Sequence, residues 1–291
     1  MKSLKISAPA KINLHLQITS KRDDGYHNLI TLFQMISLYD EIYIEKIQNN
    51  EIIVEGDFDC AVKDNLIYRA AQWLSQFYNI NGGILVRCRK NIPTGAGLGG
   101  GSSDAAAVLL GLSSLFDLKI NKRTLQRAAL DLGSDVPFFL GTSTAIAMGR
   151  GDDLIPIQTR SDLFMLITDT GFHSSTEEAF KMIDTGSYKD IDEFNPIDIK
   201  RMYLDLNPSN WEFRNSFDSY LYAQNPLYKK IIELFHKTGA EFSAITGTGS
   251  SIFAIFTDIQ KLYLAQKVLN NNNILAHKVK MLANRPKPVY N

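Results

Sequence analysis

The chain has 291 residues, of which 45% are hydrophobic and 21% charged, a composition that fits a globular protein with enough apolar mass for two modest cores. Lysine plus arginine balances aspartate plus glutamate at 31 each, so no global field draws the protein to nucleic acid or to an anionic membrane. Residues 1–7 alternate like a strand rather than a signal peptide, and no apolar run approaches bilayer length, so the expected location is cytoplasmic.

Polar–apolar alternation predicts strands over residues 5–18, 40–47 and 51–55, and a 3.6-residue period predicts a helix over 65–78. Within the first strand, Ala8-Pro9-Ala10-Lys11-Ile12-Asn13-Leu14 sets Lys11 and Asn13 two apart, so both side chains share one face and Ile12 and Leu14 the other. A strand over 84–88 then leads into Pro93-Thr94-Gly95-Ala96-Gly97-Leu98-Gly99-Gly100-Gly101-Ser102-Ser103-Asp104, which runs directly into the apolar helix that begins at Ala105. Glycines without a Cβ allow positive φ and close approach, and the helix N-terminus adds unpaired N–H groups, so the expected guest is phosphate. Gly95, Gly97 and Gly100 also match G-x-G-x-x-G, but the chain continues into a second helix over 123–132 instead of the strand a dinucleotide fold requires. A Walker A loop would end in Gly-Lys-Ser/Thr, whereas Gly101 meets Ser102 directly. The hydroxyls of Ser102 and Ser103 are explained in part by helix capping, and either can also face a phosphate or its metal ion.

Further along, Leu132-Gly133-Ser134-Asp135-Val136-Pro137-Phe138-Phe139 puts one acid between a glycine and an apolar run, where it is expected to be partly buried and to need a cation or several donors. Alone, Asp135 is more often a satisfied structural acid, and Lys11 a solvated strand lysine. A strand over 143–148 and a turn over 149–153, expected to approach a domain seam, close the first half. A new cycle follows: a strand over 163–168, a helix after Ser174 with Ser174-x-x-Glu177 as its capping box, and a helix opened by Asn225-Pro226. Strands over 241–246, 251–256 and 274–281 with a helix over 258–269 suggest a split βαβ unit. The chain therefore reads as α+β with two domains, residues 1–158 and 159–291, and with Cys60 and Cys88 as structural thiols.

Three segments, Pro9-Ala10-Lys11-Ile12-Asn13-Leu14, the glycine loop from Pro93 to Asp104, and Gly247-Thr248-Gly249-Ser250-Ser251, resemble the three motifs of the GHMP kinase superfamily over almost the whole length of the chain. Arg22-x-Asp24-Gly25-Tyr26-His27-x-Leu29 and Ser134-Asp135-Val136-Pro137-Phe138-Phe139 narrow the resemblance to the branch that phosphorylates a cytidine-diphosphate-linked methylerythritol. The resemblance implies a two-domain GHMP kinase fold, with a ribosomal-protein-like N-terminal domain and a ferredoxin-like C-terminal domain. It implies an ATP- and Mg²⁺-dependent kinase acting on the 2-hydroxyl of that small molecule, in non-mevalonate isoprenoid precursor synthesis; with the balanced charge and the lack of long apolar runs, no nucleic acid or membrane partner is expected, and the expected state is a monomer or weak homodimer.

By the same resemblance Asp135 and Lys11 are the catalytic pair beside the acceptor hydroxyl, and Asn13 helps hold the methylerythritol unit. Pro93, Thr94, Gly95, Ala96, Gly97, Leu98, Gly99, Gly100, Gly101, Ser102 and Ser103 form the ATP phosphate loop, with Lys90 near the nucleotide. Asn65 and Leu66 match positions near adenine, although the start of an ordinary helix explains them equally well. Tyr26 and His27 match the cytosine site, Phe180 its opposite wall and Thr176 a polar contact; taken alone these are turn, packing and helix-core residues. The metal ligands are unassigned. Two alternatives stay open: another GHMP kinase acting on homoserine, mevalonate or a sugar, which would have no use for Tyr26 and His27, and a non-catalytic nucleotide-sensing module, which would not need both Lys11 and Asp135.

Overall fold

Two long antiparallel strands, β1 (Ser3–Lys21) and β2 (His27–Ile47), form the spine of a computed structural model that describes residues 3–172, 175–185 and 194–290. Alternation revealed most of β1, over residues 5–18, but only the end of β2, over residues 40–47. From Ile30 to Ile36 every residue of β2 is buried, because both faces of the sheet are covered there and the period-2 signal of a half-exposed strand disappears. A parallel crossover follows: β3 (Ile52–Gly56), α1 (Leu66–Tyr78) and β4 (Gly83–Arg89), with β3 and β4 paired in parallel. Then come α2 (Gly100–Leu115), α3 (Lys122–Leu132), the short α4 (Val136–Leu140), β5 (Thr144–Met148) and β6 (Asp153–Pro156). α2 lies tightly on the sheet, since a Cβ on Gly111 would stand 2.5 Å from Ile44 Cδ1. Its alanines pack with Leu4, Ile42, Ile44 and Val86 in the first core.

The second half contains β7 (Phe164–Asp169), α5 (Thr176–Thr185), α6 (Pro196–Asp205), α7 (Asp218–Gln224), α8 (Leu227–Lys237), β8 (Phe242–Ile245), β9 (Ser251–Phe256), α9 (Ile259–Asn271) and β10 (Ala276–Val279). Its antiparallel sheet has the order β10-β7-β9-β8, the ferredoxin-like arrangement expected. Asn225, one residue before the Pro226 N-cap of α8, accepts from Leu227 N–H through its Oδ1 at 2.9 Å. The capping box from Ser174 lies outside the described residues. α4, α6, α7 and β6 were not anticipated. Neither was β11 (Val289–Tyr290), which pairs with Leu4 and Lys5 and so returns the end of the chain to the first sheet, where it covers the edge of β1.

Between the halves a second core joins Ala10, Ile12, Leu14, Ile36, Ile92 and Leu98 to Phe213, Phe242, Phe253 and Ile255. Full burial of such side chains is worth about 1.5–3 kcal/mol each, so the two halves hold a fixed register and present one continuous cleft.

Candidate active site

At the end of β4 the chain turns through the glycine loop and enters α2. Gly95, Gly97 and Gly99 have φ of +70°, +73° and +68°, and Gly99 is the N-cap of α2 with no side chain satisfying the free N–H groups. Those amides remain available to an anion. A cavity of about 420 Å³ lies along the loop, lined by Lys90, Ile92 to Ser102 and Asp104, with Asp57 to Cys60 and Asp64 to Leu66 on the other wall. Asn65 also caps α1, its Oδ1 accepting from Ile67 N–H at 2.9 Å, while it lines this cavity.

Two expectations are corrected here. Neither serine caps α2: Ser102 lines the cavity, while Ser103 points into the protein, 1% exposed, its hydroxyl without a partner. The helix starts earlier than a serine cap would require, with Gly99 already in the capping position, which turns Ser103 inward. Cys60 is exposed and lines the nucleotide-loop cavity, because it lies on the connection between β3 and α1 rather than in a core; only Cys88 is buried.

Gly97 has a further reason to be glycine. A Cβ there would lie 2.2 Å from the carbonyl oxygen of Thr246, so the loop can meet the C-terminal glycine turn only without a side chain. Thr246 Oγ1 donates to Gly97 O at 3.3 Å and Ser251 N–H to Ala96 O at 3.3 Å. The middle and C-terminal motifs thus dock on each other across the seam.

Lys90 is held between two buried acids that sequence reasoning did not single out. It donates to Asp104 Oδ2 at 2.7 Å and to Asp40, whose Oδ1 accepts from Asn91 N–H at 2.6 Å and Ile92 N–H at 2.8 Å. Burial opposes the lysine's charge, but the two carboxylates outweigh it and raise the Lys90 pKa. Asp104 is pushed up to about 7, first by burial, against the lowering effect of Lys90, with Asp40 adding to the rise. The available signal was an acid placed inside an otherwise apolar helix start, directly after Ser103.

A second cavity, about 910 Å³, shares Gly97, Gly99 and Ser102 with the first. It gathers Lys11, Asn13, Tyr26, His27, Asp135, Thr176 and Phe180, drawn from four segments of the chain. Lys11 Nζ stands 3.6 Å from Asp135 Oδ2 and donates to Asn13 Oδ1 at 2.6 Å, and Asn13 Nδ2 donates to Thr31 Oγ1 at 2.8 Å. Burial lowers the Lys11 pKa, with the Asp135 carboxylate opposing the fall. Asp135 is partly buried, as expected, and its backbone opens α4 without any capping hydrogen bond from its side chain, which leaves the carboxylate to the cavity. At Gly99 the parts meet: a Cβ would stand 3.0 Å from Phe139 Cζ and 3.1 Å from Lys11 Cε.

At the far end of this cavity Tyr26 is 57% exposed, with the Arg150 guanidinium 4.9 Å from its ring centroid. His27 is buried. Its ring stacks on Phe180 at 5.0 Å and 28°, which fills the space between these two rings, and its Nε2 lies 2.8 Å from Asp184 Oδ1. Phe180 meets Phe217 edge-on at 5.1 Å. Thr176 and Thr248 hydroxyls are 3.2 Å apart. Lys21, Arg150 and Asp184 also line the cavity and were missed, although Thr176, Phe180 and Asp184 recur every four residues along one face of α5. Among the described residues no group of His, Cys, Asp and Glu is arranged to hold a metal ion, and no helix is long and apolar enough to cross a membrane.

Residues 65–143 match the family described as GHMP kinases N terminal domain, and residues 202–274 match GHMP kinases C terminal. A 4-diphosphocytidyl-2-C-methyl-D-erythritol kinase of Syntrophus aciditrophicus is 35% identical over 267 residues, covering 91% of this chain and 94% of that protein. The enzyme of the same name from Thermodesulfovibrio yellowstonii is 36% identical over 275 residues, covering 89% and 92%. A crystal structure of 4-(cytidine 5'-diphospho)-2C-methyl-D-erythritol kinase superposes with a TM-score of 0.81 at 30% identity, over 95% of this chain and 99% of that one. A homoserine kinase from Cytophaga hutchinsonii, TM-score 0.77 at 16% identity over 99% and 98%, shares the fold. The chain is a two-domain kinase and belongs to the 4-diphosphocytidyl-2-C-methyl-D-erythritol kinase family of GHMP kinases.

Proposed function

We propose that this kinase transfers the γ-phosphoryl group of ATP to the 2-hydroxyl of 4-diphosphocytidyl-2-C-methyl-D-erythritol, with the glycine loop holding the phosphates and Asp135 beside the acceptor. The observation that carries this reading is the meeting of the two cavities at Gly97, Gly99 and Ser102, with the Lys11–Asp135 pair lining the acceptor side. An in-line transfer needs this juxtaposition, because phosphoryl transfer depends chiefly on positioning and charge neutralisation. Asp135 orients the hydroxyl and takes its proton as the new O–P bond forms and the bond from the γ-phosphorus to the β-phosphate oxygen breaks, releasing ADP. Lys11, buried and directed by Asn13, supports charge on Asp135 and on the transferring group.

Mg²⁺ fits the donors present. Ser102 offers a hydroxyl at the meeting of the cavities, and without a carboxylate cage among the described residues the ion would be held chiefly by phosphate oxygens and water, in keeping with its reluctance to dehydrate. When bound it would neutralise charge on the transferring phosphoryl group.

Tyr26 and His27 are assigned to the cytosine, Asn13 to the methylerythritol unit, and Arg150 beside Tyr26 to the diphosphate. Asn65 and Leu66 are assigned to the adenine end. The reading extends to cytoplasmic work as a monomer or weak homodimer. An ADP-release assay with the cytidyl substrate against homoserine, mevalonate and galactose tests it. Turnover confined to the cytidyl substrate is the expected result, and faster turnover of any of the other three would replace the substrate assignment.

A further inference from the structure

Asp184 is a carboxylate in the acceptor cavity for which phosphoryl transfer itself has no use. It lies on α5, which the C-terminal half contributes, yet both of its oxygens are engaged by the β1–β2 hairpin: Oδ1 with His27 Nε2 at 2.8 Å and Oδ2 with Lys21 Nζ at 2.5 Å. One turn earlier on the same helix face, Phe180 covers the flat side of the His27 imidazole. The helix therefore controls His27 in two ways: Phe180 sets the plane of the ring and Asp184 engages one of its nitrogens. Two turns before Asp184, the hydroxyl of Thr176 meets Thr248 of the glycine turn and anchors the start of the helix against the cleft.

We propose that Asp184 is the positioning residue for base recognition: by accepting from His27 Nε2–H it leaves Nδ1 as a hydrogen-bond acceptor, so that the site takes the amino group of cytosine and rejects the carbonyl that uracil carries in its place. This rests on the assignment of His27 to the cytosine. A neutral imidazole donates from one nitrogen and accepts at the other, and the partner of the first decides the role of the second. Lys21 and His27 hold the Asp184 carboxyl below its ordinary range, the lysine first, so the carboxylate can only accept. Lys21 also supplies the positive charge that balances Asp184. An acceptor directed at cytosine N4–H₂ makes a hydrogen bond, whereas directed at uracil O4 it leaves two acceptors facing each other. A site built around a donor on its substrate rejects the analogue that lacks it far more strongly than a shape-based pocket does.

The test is steady-state kinetics of Asp184→Ala, Asp184→Asn and His27→Ala with the cytidyl substrate and its uridyl counterpart. Alanine is the best helix former and this helix face is partly exposed, so Asp184→Ala keeps its fold, checked by the melting temperature. Asp184→Ala should lower the cytidyl-to-uridyl ratio of kcat/KM by about tenfold or more, with the KM for ATP unchanged. Asp184→Asn keeps an oxygen that can accept from Nε2–H and should retain most of the preference. Combined with His27→Ala, removal of Asp184 should change the ratio no further. An unchanged ratio in Asp184→Ala, even with both substrates weakened, would reduce Asp184 to a structural prop and overturn the proposal. His27→Ala with full cytidyl preference would instead sink the cytosine assignment itself, and loss of preference in His27→Ala alone would sink only the role of Asp184.

Discussion

The cavity proposed for the nucleotide is lined chiefly by one continuous segment, residues 92–102, whereas the cavity proposed for the acceptor collects side chains from β1, β2, the start of α4, α5 and the glycine turn after β8. The first is shaped by what its residues lack: side chains at Gly95, Gly97 and Gly99. The second is shaped by what its residues hold, namely Lys11 by Asn13 and Asp135, and His27 by Phe180 and Asp184. Binding ATP can therefore be damaged by adding atoms, and recognising the acceptor by removing them.

The largest effect should come from Asp135→Asn, which removes charge at the acceptor and leaves the glycine loop intact. Turnover should fall by about two to four orders of magnitude, the range for a lost acid–base group, with the KM for ATP almost unchanged. Turnover near wild type in a stopped-flow or coupled assay would show that the acceptor cavity works without its acid. Lys11→Met should follow the same pattern to a lesser degree.

Gly99→Val breaks the other side of the comparison. The residue sits at φ +68°, and even a Cβ would press on Phe139 and Lys11 at 3.0 and 3.1 Å, so a branched side chain should abolish binding of a non-hydrolysable ATP analogue in calorimetry. Circular dichroism supplies the folding control. A folded variant that binds the analogue normally would remove the loop from the phosphate site.

Tyr26→Ala sharpens the contrast within the acceptor cavity. Loss of a stacking platform should weaken the cytidyl substrate by about 1–3 kcal/mol while the ATP analogue binds as before. Equal losses for both ligands would mean that the two cavities are coupled through the fold.

The smallest effect concerns stability under the nucleotide loop. The Asp104 carboxyl rises from 3.8 to about 7 on folding, so between those values the folded chain holds a proton that the unfolded chain has released. Its contribution to stability should accordingly fall as pH rises from about 4 to 7 and level off above that, against His15, pushed down to about 3 by burial, whose contribution rises up to about 6.5. Asp218, also pushed up to about 7 by burial, contributes with the same sign as Asp104. Asp104→Asn should flatten part of the decline in melting temperature, and an unaltered slope would assign the whole of it to other groups.

The glycine loop was legible because its course depends on local backbone: consecutive glycines, a strand before them and an apolar helix after them are all visible in one stretch of sequence. Lys11 and Asn13 were legible as partners because a strand places alternate residues on one face, and they are 2.6 Å apart in the structure. Asp184 and Lys21 were not, since a salt bridge on a helix reads as ordinary solvation until the partner strand is known. Asp40 was hidden for the same reason, its three donors Lys90, Asn91 and Ile92 lying about fifty positions away.

The sequence alone determined an α+β chain with two domains, a glycine loop leading into a helix and a lysine and asparagine sharing one strand face, because periodicity and glycine content act over a few neighbouring residues. Tertiary structure alone decided the course of β2 through residues 30–36, where burial on both faces erases periodicity, and the return of β11 to the first sheet. It also decided which acids meet which cations. Whether a carboxylate is solvated, paired or poised beside a ligand depends on groups brought within a few ångströms by packing, and no local pattern in the chain encodes that distance.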